Sequence, residues 1–458
     1  MRMMRVAAIA LVCALVATAC GTRGARNPDD NTLLVWSMEV QPDRIEATER
    51  VFARFTERTG ISVDLVPVED AQVGQLLASA ALAGEMPDVI TALPLGLAWS
   101  FAEDEFLDTA ASTRVIDSLG PKTWTDSSLA LTRRGQEQIV VPSDGYPMLL
   151  AYRTDLFREA GLVAPTDYAK VRTAAERLTG GGRFGISIAT DASDAFTQQT
   201  FEMLALGNDC QLVDDAGAVT LDSPQCAATI ELYDQLGRDF SPPGTQSVDS
   251  TRASYFAGQS GMILWSSFLL DELAGLRDDA MPSCPECEER TWLARNTGIV
   301  PLVSGPDAAG DAAPYGEVTS WAITSQASSA DAEELVRFML TDGYAGWLDM
   351  APEGKVPVRL GEPDDPRRYL DAWADLPAGV DTELPLREVY PPEVIDQLVT
   401  GSSELDRWAL AQGRGDVLGP LSAELPISRV IADMTSGAIG PAEAQQQMQE
   451  SVVEMAER

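Results

Sequence analysis

The chain has 458 residues, 45% of them hydrophobic, enough for one large core or for two lobes with a core each. Its 33 Lys and Arg stand against 70 Asp and Glu, a formal net charge of −37, which argues against nucleic acid or anionic lipid as a partner through a basic face; the acidity reads as a solvated surface. Histidine is absent altogether, which excludes Ser-His-Asp and Cys-His nucleophile systems and His-ligated zinc and leaves an enzyme only carboxylate pairs, Lys or Tyr.

Arg2 and Arg5 precede an apolar run that starts at Val6 and ends in Leu15-Val-Ala-Thr-Ala-Cys20-Gly21. A basic start, a short apolar stretch and small residues before a cut describe a secretory signal over residues 1–19. The run is shorter than the roughly 20 residues that span a membrane. Ala17, Thr18 and Ala19 before Cys20 resemble a bacterial lipobox, with Ala17 where leucine is more usual. That resemblance implies cleavage before Cys20, lipidation of Cys20, a lipid-anchored tether over 20–31, and work at the extracellular face of the cell membrane. The bland alternative is an ordinary signal with an incidental cysteine.

Thr32–Trp36 reads as a buried strand, and Asp43–Thr59 as an amphipathic helix with Ile45, Val51, Phe52 and Phe55 on one face, stopped by Gly60. Ile61–Val68 alternates like a strand, Val73–Ala83 is a small-residue helix, and Asp88–Ala92 a further strand. This rhythm predicts parallel strands joined by helical crossovers. Further strands are expected at 138–141, 148–152, 184–188, 261–265 and 321–324, and helices at 167–178, 196–206, 225–236, 250–257 and 330–340. Beyond residue 365 the chain reads as mostly helical. The sum is an α/β protein large enough for two lobes.

Four cysteines remain after the signal and the anchor: Cys210, Cys226, Cys284 and Cys287. Three connectivities are possible; Cys210–Cys226 and Cys284–Cys287 are the expected pairs. The C-x-x-C spacing of the second pair also suits a metal or redox site, but a local structural disulfide is the preferred reading, and no metal or cofactor is expected.

The order of segments resembles the extracellular solute-binding proteins of ABC importers, family 1, in the group that binds sugars. The pieces are Leu33-Leu-Val-Trp36, Gly84-Glu-Met-Pro-Asp-Val-Ile90, Val141-Pro142 through Tyr152-Arg-Thr-Asp-Leu-Phe-Arg-Glu-Ala-Gly-Leu162, Phe256-Ala-Gly-Gln-Ser-Gly-Met262, Gly298-Ile-Val-Pro-Leu302 and Tyr315-Gly-Glu-Val-Thr-Ser-Trp-Ala-Ile323. Arg153 replaces an asparagine of the pattern and Gly261 an alanine. The resemblance covers about residues 32–455. It implies a two-lobe α/β periplasmic-binding-protein-like fold with three interlobe crossings, a ligand cleft between the lobes and closure on the ligand. Mapped here, lobe one would be 32–148 plus 298–342 and lobe two 149–297 plus 343–458. It further implies a monomer that hands a small molecule to a membrane permease.

Ligands of open α/β sheets bind beyond the carboxyl ends of strands. That rule selects Trp36 and Glu39, Asp70, Asp144 and Tyr146, Trp265 and Ser266, and, before the strand near 321, Tyr315 and Glu317, with Trp321 inside that strand. Flat aromatics suit the C–H faces of a sugar, and carboxylates accept its hydroxyl hydrogen bonds. Each has a bland rival: Trp321 and Trp36 as core, Glu39 as a helix cap. Lys355 and Arg359, in Ala351-Pro-Glu-Gly-Lys-Val-Pro-Val-Arg359, are further candidates; both in the cleft would favour an anionic ligand. The expected ligand is a di- or oligosaccharide. A glycerophosphodiester or other osmolyte is the alternative within the class, and a secreted carboxylate-pair glycosidase or a surface adhesin lies outside it.

Overall fold

The computed structural model describes residues 31–308 and 312–457; the expected signal segment, Cys20 and all of the tether except Asn31 lie outside them. Strand β1 (Thr32–Ser37) lies between β2 (Ser62–Pro67) and β3 (Val89–Leu93), parallel to both. The crossovers are helix α1 (Pro42–Thr59) and helix α2 (Asp70–Ala83). Pro42 opens α1 and Asp43 complements its N-terminus; Val51, Phe52 and Phe55 are buried, and Gly60, at φ 77°, ends it in the left-handed conformation. Helix α3 (Leu95–Glu103) follows β3.

Residues 141–153 form one strand, β4 (Val141–Arg153), where alternation predicted two short ones. The intervening Pro-Ser-Asp-Gly-Tyr-Pro hid it: its polar groups are bonded internally, so no apolar period marks them, and the irregularity at Pro142/Asp144 absorbs a missing proline donor. Along its second half β4 pairs antiparallel with β5 (Met262–Ser266) and β6 (Thr297–Val300). Along its first half it pairs antiparallel with β7 (Gly316–Ile323) and the short β8 (Val356–Pro357), and β7 joins it to β3. The predicted strand at 184–188 makes only isolated parallel bridges beside β5, at Phe184 and Ser187.

The buried side chains form two clusters. One contains Val35, Phe52, Phe55, Trp99, Val141, Trp321 and Trp347; the other contains Leu149, Tyr233, Tyr255, Ile263, Trp373 and Met448. Strand β4 contributes to both, Val141 to the first and Met148–Ala151 to the second. Residues beyond 342, expected wholly in the second lobe, also divide: Trp347, Tyr369, Leu405 and Leu418 join the first cluster, and Trp373, Trp408 and Leu421 the second. Helix Leu418–Glu424 lies across α3 with glycines at the crossing. A Cβ on Gly96 would stand 3.1 Å from Ser422 Oγ, and one on Gly419 2.9 Å from Ser100 Cβ. A methyl on nearby Gly415 would overlap the Trp99 indole.

Cys210 and Cys226 have Cα atoms 4.7 Å apart and sulfurs at bonding distance; so do Cys284 and Cys287, with Cα atoms 5.0 Å apart. Among the described residues no helix is long and apolar enough to cross a membrane.

Candidate functional site

The carboxyl ends of β1, β2 and β3 share one edge of the first-lobe sheet. Because β7 runs antiparallel to β3, its beginning lies at that edge too, as does the middle of β4, where Tyr146 stands opposite Glu317. The topology thereby gathers Glu39, Asp70, Asp144, Tyr146, Tyr315 and Glu317.

Two charge networks organise them. In the first, Lys355 Nζ lies 2.5 Å from Glu39 Oε1, 3.5 Å from Asp144 Oδ2 and 4.3 Å above the centre of the Trp347 ring. Arg44, on the first turn of α1, donates to Glu39 Oε2 at 2.9 Å. Asp144 accepts from Trp347 Nε1 at 2.6 Å, Ser143 Oγ at 2.6 Å and Thr319 Oγ1 at 2.7 Å. Asp144 and Lys355 are closed off from solvent, at 0% and 1% exposure. Burial pushes the Glu39 carboxyl up, but the Lys355 ammonium and the Arg44 guanidinium outweigh it and hold it down to about 2.

The second network is centred on Arg407. Its Nε lies 3.1 Å from Glu202 Oε1, its Nη1 2.6 Å from Glu317 Oε2, and its guanidinium 4.9 Å over the Tyr315 ring. Glu317 Oε1 accepts the Leu95 amide at 2.7 Å, at the start of α3. Trp408 N donates to Glu202 Oε1 at 2.9 Å. Glu202 belongs to a helix over the second core and Glu317 to the first-lobe sheet, so the buried Arg407 ties elements of the two lobes together.

Asp70 stands at the open side, the first residue of α2 and exposed. Surrounding protein atoms, then the charges of Glu39, Glu317 and Glu69, push its carboxyl up to about 6. The partly exposed Tyr146 ring lies 5.1 Å from that of Phe268, which also has the Arg44 guanidinium 5.1 Å from its centre. Burial, then Glu317 and Asp70, push the Tyr146 phenol up. Glu353, 3% exposed, is also pushed up, to about 7, by burial against the pull of Arg44, Arg277 and Lys355.

The other predicted residues sit apart from these networks. Trp36 packs partly buried against the first core. Trp265 is buried in the second, its Nε1 donating to Val248 O at 3.3 Å and its ring 5.7 Å from Phe196. Ser266, also buried, pairs opposite Met148. Trp321 is fully buried between Phe52 and Trp347, with ring centres 6.4 and 4.9 Å away. Arg359 is enclosed between the Trp124 and Tyr369 rings, each 5.2 Å from its guanidinium, and bonded to Glu362 at 2.7 Å; it does not share the Lys355 network. Arg407, Glu202, Arg44 and Phe268 escaped the sequence reading. Arg44 follows β1 closely enough for the strand-end rule to have reached it; nothing in the sequence marks Arg407.

A groove of about 270 Å³ opens elsewhere, on the α1 stripe of Ala47, Arg50 and Arg54 facing Val380 and Glu383. None of the converging residues lines it, and the cleft edge, where charged groups of both lobes meet, is the better candidate. Among the described residues no group of three His, Cys, Asp or Glu is placed to hold a metal ion.

Residues 41–346 match the family model described as bacterial extracellular solute-binding protein. The chain belongs to that family. It is 26% identical over 362 residues, 76% of this chain and 78% of the relative, to Escherichia coli (strain K12) YcjN, named as an ABC transporter periplasmic-binding protein. Solved structures of the same two-lobe fold include maltose-bound MalE3 of T. maritima (TM-score 0.67, 17% identity, 92% of this chain and 99% of that one). The GacH receptor of Streptomyces glaucescens, solved with acarbose, matches with a TM-score of 0.68, 16% identity and coverage of 93% and 98%. UgpB of Mycobacterium tuberculosis, solved with glycerophosphocholine, matches with 0.68, 19%, and the same 93% and 98%. Family and fold are thus those of transport solute-binding proteins.

Proposed function

We propose that this solute-binding protein captures a sugar, a di- or oligosaccharide, in the cleft at the first-lobe sheet edge and delivers it to the membrane permease of an ABC importer, tethered outside the cell through lipid on Cys20. The observation that carries the reading is the convergence of Glu39, Asp70, Tyr146 and Glu317 on one edge, with Arg407 reaching across from the second lobe. Carboxylates and a phenol present hydrogen-bonding atoms to hydroxyl edges, and the Tyr146 and Phe268 rings offer flat faces to C–H surfaces. Closure would bury the ligand between lobes that Arg407 ties together, and the closed form would dock on the permease. The cleft binds without turnover in this reading.

A glycerophosphodiester is the second reading, favoured by the likeness to UgpB. It is weaker here because the Arg44, Lys355 and Arg407 cations already have carboxylate partners at 2.9, 2.5 and 2.6 Å. A thermal-shift screen of the protein against mono-, di- and oligosaccharides, sugar phosphates and glycerophosphodiesters tests this. A ligand at about a hundred times its dissociation constant should add roughly 2.7 kcal/mol. A sugar hit with no product on chromatography supports the proposal; a hit confined to phosphorylated compounds, or sugar cleavage, overturns it.

A further inference from the structure

The charges at the cleft do not cancel, and the remainder is negative. Each of the three cations there is engaged: Arg44 with Glu39 at 2.9 Å, Lys355 with Glu39 at 2.5 Å and Asp144 at 3.5 Å, Arg407 with Glu317 at 2.6 Å and Glu202 at 3.1 Å. Asp144 is saturated further by Trp347, Ser143 and Thr319. Asp70 is different. It feels the charges of Glu39, Glu317 and Glu69, and among the described residues no hydrogen bond or ion pair reaches its carboxylate. A second observation concerns the other neighbours of Glu317. The Tyr315 hydroxyl, in a residue 1% exposed, has no partner among the described residues, and its electrostatic neighbours are Arg407, Glu202, Glu317 and Tyr146. Glu202 Oε2, buried beside Arg407, is also unpartnered. The unfilled hydrogen-bonding capacity around Glu317 is thus the Asp70 carboxylate, one Glu202 oxygen and a phenol; the unpartnered cationic nitrogen nearby, Arg44 Nε, belongs to a guanidinium already paired with Glu39.

This pattern discriminates between ligand charges. An anionic group would meet Asp70 directly and would compete for cations that each already neutralise a carboxylate, Arg44 with Glu39, Lys355 with Glu39 and Arg407 with Glu317. A neutral hydroxyl would satisfy Asp70 by hydrogen bonding but leave its charge in place. A protonated amine would do both, with the stronger hydrogen bond of an ionised pair. Resting on the sugar-receptor reading above, we infer that the ligand is an amine-bearing polyol, an amino sugar or aminocyclitol glycoside, whose ammonium sits against Asp70. The simpler role for Asp70, complementing the N-terminus of α2, accounts for a carboxylate at that position but not for the empty Tyr315 and Glu202 oxygens beyond it.

The test is calorimetric titration of the full protein at pH 7.5 with matched pairs: glucose and glucosamine, galactose and galactosamine, cellobiose and the β-1,4-linked glucosamine disaccharide. N-acetylglucosamine and N,N′-diacetylchitobiose serve as uncharged controls. The amine member is expected to bind at least about tenfold more tightly than both its hydroxyl and its acetamido counterparts. The advantage should shrink as salt rises, and Asp70→Asn should erase it while moving the hydroxyl ligand's affinity less than about threefold. The acetamido comparison needs no variant and stands even if D70N misfolds. Equal or tighter binding of the neutral member, or an equal loss of both ligands in D70N, overturns the inference and leaves the sugar-receptor reading intact. Binding confined to phosphorylated ligands overturns both.

Discussion

Lys355 and Glu39 meet at 2.5 Å inside the protein, one just before the return strand β8, the other just after β1. The pair ties the first lobe's sheet edge to the segment leading into β8, and both side chains are nearly closed to solvent, at 1% and 9%. Removing one member of a buried pair strands the other's charge. Lys355→Met should therefore lower stability by about 3–5 kcal/mol, read as a fall in the urea midpoint. The double variant Lys355→Met/Glu39→Gln should recover part of the loss. An unchanged midpoint in the single variant would show that water reaches Glu39.

Stability should peak in mildly acidic solution. Glu353 and Glu272 are pushed up to about 7, both first by burial, with Arg44 pulling Glu353 and Arg252 pulling Glu272 the other way. A raised carboxyl means that the folded protein holds the proton more tightly than the unfolded chain. The stabilisation from that proton is present below the ordinary value of 4.5 and is lost as pH rises through about 7. Glu39 behaves oppositely: held down to about 2, it contributes above 4.5 and loses that contribution as pH falls toward 2. The melting temperature should be higher at pH 5.5 than at pH 8 or pH 3. Each tenfold change in proton affinity is worth about 1.4 kcal/mol. Glu353→Gln should flatten the alkaline arm and Glu39→Gln the acid arm; a monotonic profile would contradict both assignments.

The crossing of helix 418–424 over α3 is steric, and its tolerance is low. A methyl on Gly415 overlaps Trp99, whose Nε1 is fixed to Leu131 O at 3.0 Å and cannot swing away freely. Gly415→Ala should cost about 1–3 kcal/mol. Combining it with Trp99→Leu should cost less than the two single changes added together. Additive losses in chemical denaturation would mean that the segment has room to shift.

Stability and binding should separate at two aromatic positions. Trp265 is packed into the second core and hydrogen-bonded to Val248, so Trp265→Ala should destabilise by about 3–5 kcal/mol. Tyr146 has a partly exposed ring at the cleft edge, so Tyr146→Ala should weaken ligand binding with a smaller effect on melting. The reverse pattern would move the ligand to the second-lobe wall.

Much of the framework was legible because burial imposes period. The β1–α1–β2–α2–β3 unit follows from apolar spacing and from Gly60, which ends α1 as expected; Gly84 ends α2 in the same left-handed conformation. Strand β4 was read in two pieces because its centre carries Asp144 and two prolines, and internal hydrogen bonding leaves no hydrophobic signature. Among site candidates, the strand-end rule selected Glu39, Asp70, Tyr146 and Glu317, which local topology brings to one sheet edge. It missed Arg407, which reaches Glu317 from 90 residues later in the chain. It also could not tell that Arg359, four residues after Lys355, turns into an aromatic cage instead. Long-range pairing of charges has no local sequence period to betray it.

Strand β4 is common to both cores, yet among the described residues the strand that links its first half to β3 is β7, made more than 160 residues later. As the chain leaves the ribosome, the first lobe cannot complete its sheet until residue 323 has been synthesised. Until then the edge of β3 that β7 covers has no partner, so the first-lobe sheet is finished by a strand far away in sequence and should form late in folding.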